Sequence, residues 1–91
     1  MLTAFVLINT EIGAEFDVLE KLKNVEGVEE AHNLWGVYDI IARIKADTMD
    51  KLTFIISKKL KEIGKVNAKL TMITTETETS PVLLATAVQN G

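Results

Sequence analysis

Hydrophobic and polar positions along the chain follow two periods, one typical of strands and one typical of helices. Residues 2–9 are almost wholly apolar, with β-branched and aromatic residues at several positions, which predicts a strand covered on both faces. Apolar residues then recur every three to four positions after Glu15, and again after Asp47, with charged residues between them. These two stretches predict amphipathic helices, each closed by a glycine, Gly27 and Gly64.

Three further strands are predicted around these helices. Residues 28–35 are more polar, which suits a sheet edge, whereas residues 38–46 begin with an apolar run that suits an inner position. Residues 66–75 alternate well enough to form the last strand. The order strand, helix, strand, strand, helix, strand predicts an α+β, ferredoxin-like βαββαβ fold, in which both helices cover one face of an antiparallel sheet.

The stretch of residues 34–39 joins the second and third predicted strands. A glycine at the first central position of a two-residue turn suits type II′ geometry, which needs a positive φ. With Gly36 and Val37 as the turn, Leu34 lies opposite Asp39. The same register sets Glu30 opposite Arg43, a charge pair that supports strand pairing. A three- or four-residue loop stays open as an alternative, as does a plain turn with packed aromatics.

Composition narrows the function classes. The 91 residues are 47% hydrophobic, which is enough for one aliphatic core. A net charge of −3 disfavours direct binding of nucleic acid. Without cysteine and with one histidine, the chain offers neither thiolate nor multi-histidine metal sites, and we expect no metal and no cofactor. The absence of a signal-peptide pattern and of any long apolar run predicts a cytoplasmic protein without a membrane segment.

The predicted fold leaves one sheet face without helices. Because the first strand is apolar on both faces, that bare face needs a cover, and a second copy in a dimeric α+β barrel-type pairing would supply it. We therefore expect at least a homodimer. We assign residues 1–76 to the domain and residues 77–91 to a tail, whose apolar run after Pro81 could add a strand or an oligomerisation arm.

Catalytic chemistry finds little support in the sequence. His32 and Asp39 fall on the same face of the predicted hairpin, and a histidine beside a carboxylate is how a general base is oriented. No motif places a Ser or Cys nucleophile near them, so an edge-strand histidine at a subunit interface is the preferred interpretation. RNA recognition through the inner strands is disfavoured, because the third strand carries no stacking aromatic beyond Tyr38. We expect no enzyme activity.

Several short stretches together resemble a known family. They are the hairpin string Gly36-Val37-Tyr38-Asp39-Ile40-Ile41, the strand entry Gly27-Val28-Glu29-Glu30-Ala31, the helix entry with Asp47, Met49, Asp50 and Leu52, and the strand Leu70-Thr71-Met72-Ile73. Over residues 3–75 the chain resembles the effector-binding (RAM) domain of Lrp/AsnC transcriptional regulators. Full-length members carry an N-terminal helix-turn-helix, and we expect the stand-alone form here. The resemblance implies dimers that assemble into rings, commonly octamers, with small effectors, usually amino acids, bound between dimers.

The resemblance also implies a set of ligand-binding residues. Gly36 and its neighbours would hold the polar head of the effector, Asp39 would meet a cationic group or brace the loop, and Thr71 would donate from its hydroxyl. Lys69 departs from the family, which often has a small hydroxyl residue there. Lys69 with the hairpin aromatics would suit a mononucleotide, the second candidate effector after an amino acid. The full predicted set is Trp35, Gly36, Val37, Tyr38, Asp39, Lys69 and Thr71.

Three functional alternatives follow. The first is a metabolite sensor that modulates transcription through full-length Lrp/AsnC-type partners. The second is a small enzyme of the dimeric α+β barrel type, which shares the fold and would need a second histidine or a buried acid pair at the sheet face. The third is a purely structural interaction module that joins a larger regulator by mixed oligomerisation.

Overall fold

The computed structural model describes residues 1–74. The elements in chain order are β1 (Leu2–Thr10), α1 (Glu15–Lys23), β2 (Val28–Asn33), β3 (Ile40–Ala46), α2 (Met49–Phe54), a π-helical turn (Ile55–Lys59), α3 (Leu60–Ile63) and β4 (Val66–Thr74). Each neighbouring pair of strands is antiparallel, and the sheet has the order β2-β3-β1-β4. The ferredoxin-like prediction is confirmed, with β1 and β3 inside and the polar β2 at an edge. The predicted tail, residues 77–91, lies outside the described residues.

One hydrophobic core lies between the sheet and the helices. Alternate residues of β1 (Ala4, Val6 and Ile8) are completely buried, and β3 contributes every second side chain in the same way. They pack in a single cluster with α1 and with the second helical segment, which consists of α2, the π-helical turn and α3. Both helical segments therefore cover the same sheet face. No helix in residues 1–74 is both long and apolar enough to cross a membrane.

The residues of β1, β3 and β4 that alternate with the core-facing ones form the face without helices, called the bare face below. Its apolar centre consists of Phe5 and Leu7 on β1, Ile41 on β3, and Leu70 and Met72 on β4. The pairing register sets Leu7 between Ile41 and Leu70, and Phe5 opposite Met72. Leu7 is buried and the four residues around it are half-buried, and an aliphatic and aromatic patch of this kind is typical of a surface that another protein covers.

The second helical segment contains one irregular turn. Residues Ile55–Lys59 are π-helical, between α2 and α3. The Lys69 ammonium on β4 donates a hydrogen bond of 2.9 Å to the Ile56 carbonyl oxygen within this turn. The Ile56 carbonyl in the widened turn therefore accepts from a charged donor. This contact joins the second helical segment to the edge strand β4.

Two sequence predictions about glycine are wrong. Gly27 does not close α1, which ends at Lys23 with Asn24 as its cap; instead Gly27 has φ +99° at the entry to β2. There its carbonyl accepts a 2.9 Å hydrogen bond from the Lys45 N–H. Gly36 does not have a positive φ, so residues 36 and 37 do not form a type II′ turn. The predicted register is confirmed, since Glu30 pairs with Arg43 and Leu34 donates to the Asp39 carbonyl.

Thr48 begins the second helical segment by capping it. Its hydroxyl oxygen accepts a 3.2 Å hydrogen bond from the Lys51 N–H. We expect Thr48→Ala to lower the free energy of unfolding by about 1 kcal/mol, because that N–H loses its partner. Thr53→Ala is the control, since Thr53 is exposed within the same helix and alanine has the higher helix propensity. Urea unfolding should show a loss for the first variant only; equal effects would contradict the capping role.

Candidate functional site at the hairpin

The loop between β2 and β3 is anchored at its two ends. The Leu34 N–H donates to the Asp39 carbonyl at 2.7 Å, and the Asp39 N–H donates to the Ile8 carbonyl on β1 at 2.9 Å. The ladder of β2 and β3 therefore stops at this pair, and residues 35–38 form a bent loop beyond it. The loop lies at the end of β1 because the inner strands β1 and β3 are antiparallel.

The Asp39 carboxylate holds the end of the loop against the last residue of β1. Its carboxylate oxygen Oδ2 accepts a 2.8 Å hydrogen bond from the Thr10 N–H and a longer one, 3.4 Å, from the Thr10 hydroxyl. Thr10 is buried, so its N–H would have difficulty finding water if the carboxylate were removed. Asp39 thus supports the loop and at the same time contributes a carboxylate to it.

The main-chain donors of the loop have no partner among the described residues. None of the four N–H groups of residues 35–38 donates a hydrogen bond to any atom of residues 1–74. Trp35 and Val37 are strongly exposed, and Tyr38 is half-buried. Consecutive free N–H groups are a common way to capture a carboxylate or another anionic group. The loop therefore offers donors and an accessible aromatic side chain in the same place.

A cavity of about 520 Å³ opens beside this loop. Its lining consists of Glu15, Asn33, Leu34, Trp35, Gly36 and Asp39. Three of the predicted site residues line it together, and Val37 and Tyr38 are their neighbours in the loop. Glu15 and Asn33 also line the cavity, and neither is among the residues predicted from the sequence. The order of the elements could have indicated that Glu15 lies near the hairpin, because α1 begins only five residues after β1 ends and β1 ends beside the hairpin.

Lys69 and Thr71 lie elsewhere in the same protomer. They project from β4 toward the helix layer, since their partners in the register are Ile8 and Val6, both buried in the core. The Lys69 ammonium is engaged by the Ile56 carbonyl, and neither residue lines the hairpin cavity. The structure of one chain therefore does not bring Lys69 and Trp35 together, and a shared role for them in ligand binding stays a prediction that needs a second copy.

His32 and Asp39 do not form a pair. His32 Nε2 lies 3.1 Å from Glu30 Oε1, and Glu30 also pairs with Arg43, whereas the Asp39 carboxylate faces Thr10. The His32 hydrogen bond and then the Arg43 charge hold the pKa of the Glu30 carboxyl below its ordinary value. This ion cluster stabilises the folded state above the ordinary glutamate pKa, and the contribution is lost as the pH falls through the lowered pKa.

A second cavity of similar size, about 530 Å³, lies at the opposite end of the sheet. Its lining includes Met1, Gly27, Phe54 and three lysines, of which Lys45 and Lys59 lie within 4 Å of glutamates. The hairpin cavity is the candidate functional site, because it combines free main-chain donors, carboxylates and an exposed aromatic ring.

Asp39→Ala is expected to destabilise the fold by about 1–3 kcal/mol, because the Thr10 N–H loses its acceptor. Asp39→Asn is the matched control, since its amide oxygen can still accept that hydrogen bond, and it should recover at least half of the loss. Urea unfolding of both variants measures the difference. If the alanine variant were as stable as the wild type, Asp39 would not brace the loop.

Comparisons with known proteins identify the family and the fold of the chain. A sequence model of the Lrp/AsnC ligand binding domain matches residues 3–83. An uncharacterised HTH-type transcriptional regulator of Pyrococcus furiosus is 32% identical over 74 residues, which are 78% of this chain and 49% of the relative. The crystal structure of FFRP-DM1 superimposes with a TM-score of 0.79 at 36% identity, covering 82% of this chain and all of that one.

A more distant solved structure is a transcriptional regulator of Neisseria meningitidis in complex with L-methionine. It is 16% identical with a TM-score of 0.73, and the match covers 88% of this chain and 54% of that one. This likeness shows the shared fold. The chain spans about half the length of the curated relatives it matches.

Proposed function

Since this chain belongs to the Lrp/AsnC ligand-binding domain family, we propose that it is a small-molecule sensor that binds an amino acid in the hairpin cavity. The proposal places the effector against the loop of residues 35–38. A ligand bound there would be connected to β1 through two hydrogen bonds, one between Asp39 and Ile8 and one between Asp39 and Thr10.

The observation that carries the proposal is that free N–H groups and carboxylates lie at the same cavity. An amino acid has a carboxylate that needs donors and an ammonium that needs acceptors. The free N–H groups of the lining residues Trp35 and Gly36 would be the donors, and the Asp39 and Glu15 carboxylates would be the acceptors. The cavity volume of about 520 Å³ accommodates a molecule of this size. The Neisseria regulator crystallised with L-methionine supports the same class of ligand.

A mononucleotide is less well supported. Its phosphate would need a cation, and no Lys, Arg or His lines the hairpin cavity in residues 1–74. Lys69, the predicted phosphate partner, is bound to the Ile56 carbonyl. No observation favours a small enzyme, and the curated relatives are described as transcriptional regulators.

Regulation through this protein would proceed by assembly. We propose that two copies pack their bare faces together and that such dimers form larger rings. The effector would then bind where the hairpin loops meet a neighbouring dimer, and occupancy would change the assembly. Through the same surfaces the chain would associate with longer Lrp/AsnC-type regulators, so that its effect on transcription is indirect. With a net charge of −3, the chain alone is not expected to bind duplex DNA.

Titration of the twenty amino acids tests this function. Trp35 is the only tryptophan and lies in the cavity lining, so its fluorescence should change saturably with at least one of them, together with a rise in melting temperature. Gly36→Pro removes one free N–H of the cavity lining and should weaken that binding about tenfold, whereas Gly36→Ala keeps the N–H, adds a Cβ that meets no atom within 4 Å, and should not. If no amino acid shifts either signal at millimolar concentration, the proposed function is wrong.

A further inference from the structure

The outer edge of β4 has no strand beside it in the described part of the chain. β4 is 9 residues long and pairs only with β1 in the sheet of residues 1–74. Outside that ladder, no main-chain group of β4 bonds to another main-chain group of these residues. The groups on its outer side therefore form a row of free donors and acceptors, which is a template for a further strand.

The two edges of the sheet differ in their protection against pairing. β2, at the other edge, carries Glu29, Glu30 and His32 and has an irregular register near its start. Charges and bulges of this kind prevent an edge from pairing with another strand. β4 has one charged side chain, Lys69, and its ammonium is bonded to the Ile56 carbonyl of the helical layer. The edge at β4 therefore lacks the protection that β2 has.

The helix side of this edge leaves space for a further strand. A groove of about 340 Å³ lies between α3 and the first residues of β4, 66–69. Farther along, Ile73 is 45% exposed, although its partner in the register, Ala4, is completely buried. A strand added beside β4 would place side chains over Ile73 and in the groove, and would bury apolar surface at the edge.

We propose that residues 82–88 of the same chain form a fifth strand, antiparallel to β4 on its outer edge. The chain continues directly from Thr74, and residues 75–81 are long enough to reverse its direction. The proposed strand is an uncharged run, Val82-Leu83-Leu84-Ala85-Thr86-Ala87-Val88. When extended, this run spans about 23 Å, which fits within the roughly 30 Å of β4.

Two properties of the run favour this placement. Leu83 and Leu84 are adjacent, so in either register one leucine lies on the helix side and the other extends the bare face. The run is also joined to the end of β4, which gives it an effective concentration on the order of millimolar at this edge. A second copy at micromolar protein concentration does not reach that value, so the chain's own run is the favoured occupant.

Amide hydrogen exchange of the full chain, resolved by NMR, tests the added strand. Proline removes an N–H group, and the N–H groups of adjacent residues point to opposite sides of a strand, so Leu83→Pro or Leu84→Pro removes a bond to β4 in either register. At least one of these variants should increase the exchange rates of the outward amides of β4 about tenfold or more. Thr77→Pro is the control, because it makes the same kind of change in the connecting residues and should leave these rates unchanged. The β4 amides that donate to β1 should keep their rates in every variant, which shows that the fold is intact.

A spin label identifies the chain that supplies the strand. The chain contains no cysteine, so Ala87→Cys carries a nitroxide at that position alone. When protein with both ¹⁵N and the nitroxide is diluted with unlabelled protein, the amide signals of β4 should broaden, because the label and the strand belong to the same chain. When ¹⁵N-labelled protein without the nitroxide is mixed with nitroxide-labelled protein without ¹⁵N, those signals should broaden much less.

Two results would overturn the proposal. One is that the outward amides of β4 exchange at the same rates in the wild type and in both proline variants, since the run then contributes nothing to this edge. The other is stronger broadening in the sample that mixes the two labels, which would assign the strand to a neighbouring copy. Faster exchange in a proline variant of the run but not in Thr77→Pro, together with broadening within one chain, supports the added strand.

Discussion

Replacing Leu70 with glutamate is expected to convert the proposed bare-face dimer to a monomer. Leu70 lies on the bare face opposite Leu7, and no cation is its partner in the register. A carboxylate buried without a partner in an apolar interface costs several kcal/mol, so dimerisation should weaken by about 100-fold or more. Sedimentation velocity at micromolar concentration measures the loss.

The matched control for this variant is Ile73→Glu. Ile73 lies on the same strand, but its partner in the register is Ala4 of the core-facing set, and it is substantially exposed at the sheet edge. This control should remain dimeric. A wild-type protein that sediments as a monomer, or a dimer that survives Leu70→Glu, would contradict packing through the bare face.

Gly27→Ala is expected to lower the free energy of unfolding by about 2–4 kcal/mol, from backbone strain and overpacking together. Its φ of +99° is one that residues with a Cβ rarely adopt. A Cβ there would lie 2.6 Å from Ile55 Cδ1 and 3.2 Å from the Lys45 carbonyl oxygen. The Ile55 side chain can move, whereas the Lys45 backbone is held by its hydrogen bond to Gly27. In a domain of this size, each kcal/mol lowers the melting temperature by roughly 4–8 °C.

Gly13→Ala separates the two causes. Gly13 has φ +84°, but a Cβ at this position would meet no atom within 4 Å. It should therefore show the backbone strain without the overpacking, about 1–2 kcal/mol. Equal losses in the two variants would mean that the contacts at Ile55 and Lys45 contribute nothing.

The fold could be predicted because its evidence is local and periodic. The doubly apolar β1 and the helical spacing after Glu15 and Asp47 each determine an element, and the order of the elements leaves few topologies. The boundaries were less accurate. Gly27 looks like a helix cap in the sequence, but its positive φ is required where the chain enters β2 against the Lys45 backbone. That contact joins residues far apart in the sequence, so no local pattern reveals it.

The candidate site was predictable in part. The sequence identified the hairpin residues correctly as neighbours, but it placed Gly36 in a tight turn, whereas the ladder stops at Leu34 and Asp39. The brace from Asp39 to Thr10 spans 29 positions and forms only when β1 and β3 pair. Lys69 is held by a carbonyl in a π-helical turn, an irregularity that the regular apolar stripe of that helix does not indicate. In the sequence, Glu15 is an ordinary acidic residue in the first turn of a helix, where its charge interacts favourably with the helix dipole. Its position beside the hairpin is apparent only in the folded chain.

The most direct test of the effector site is an amide ¹H–¹⁵N NMR titration of the deuterated protein with its best-binding amino acid. The amide signals of residues 35–38 and the Trp35 indole signal should shift saturably, because these N–H groups gain acceptors from the ligand. Signals around Met1 and Phe54, at the opposite cavity, should stay in place. Saturable shifts confined to that opposite cavity, with residues 35–38 unchanged, would contradict the assignment of the site to the hairpin.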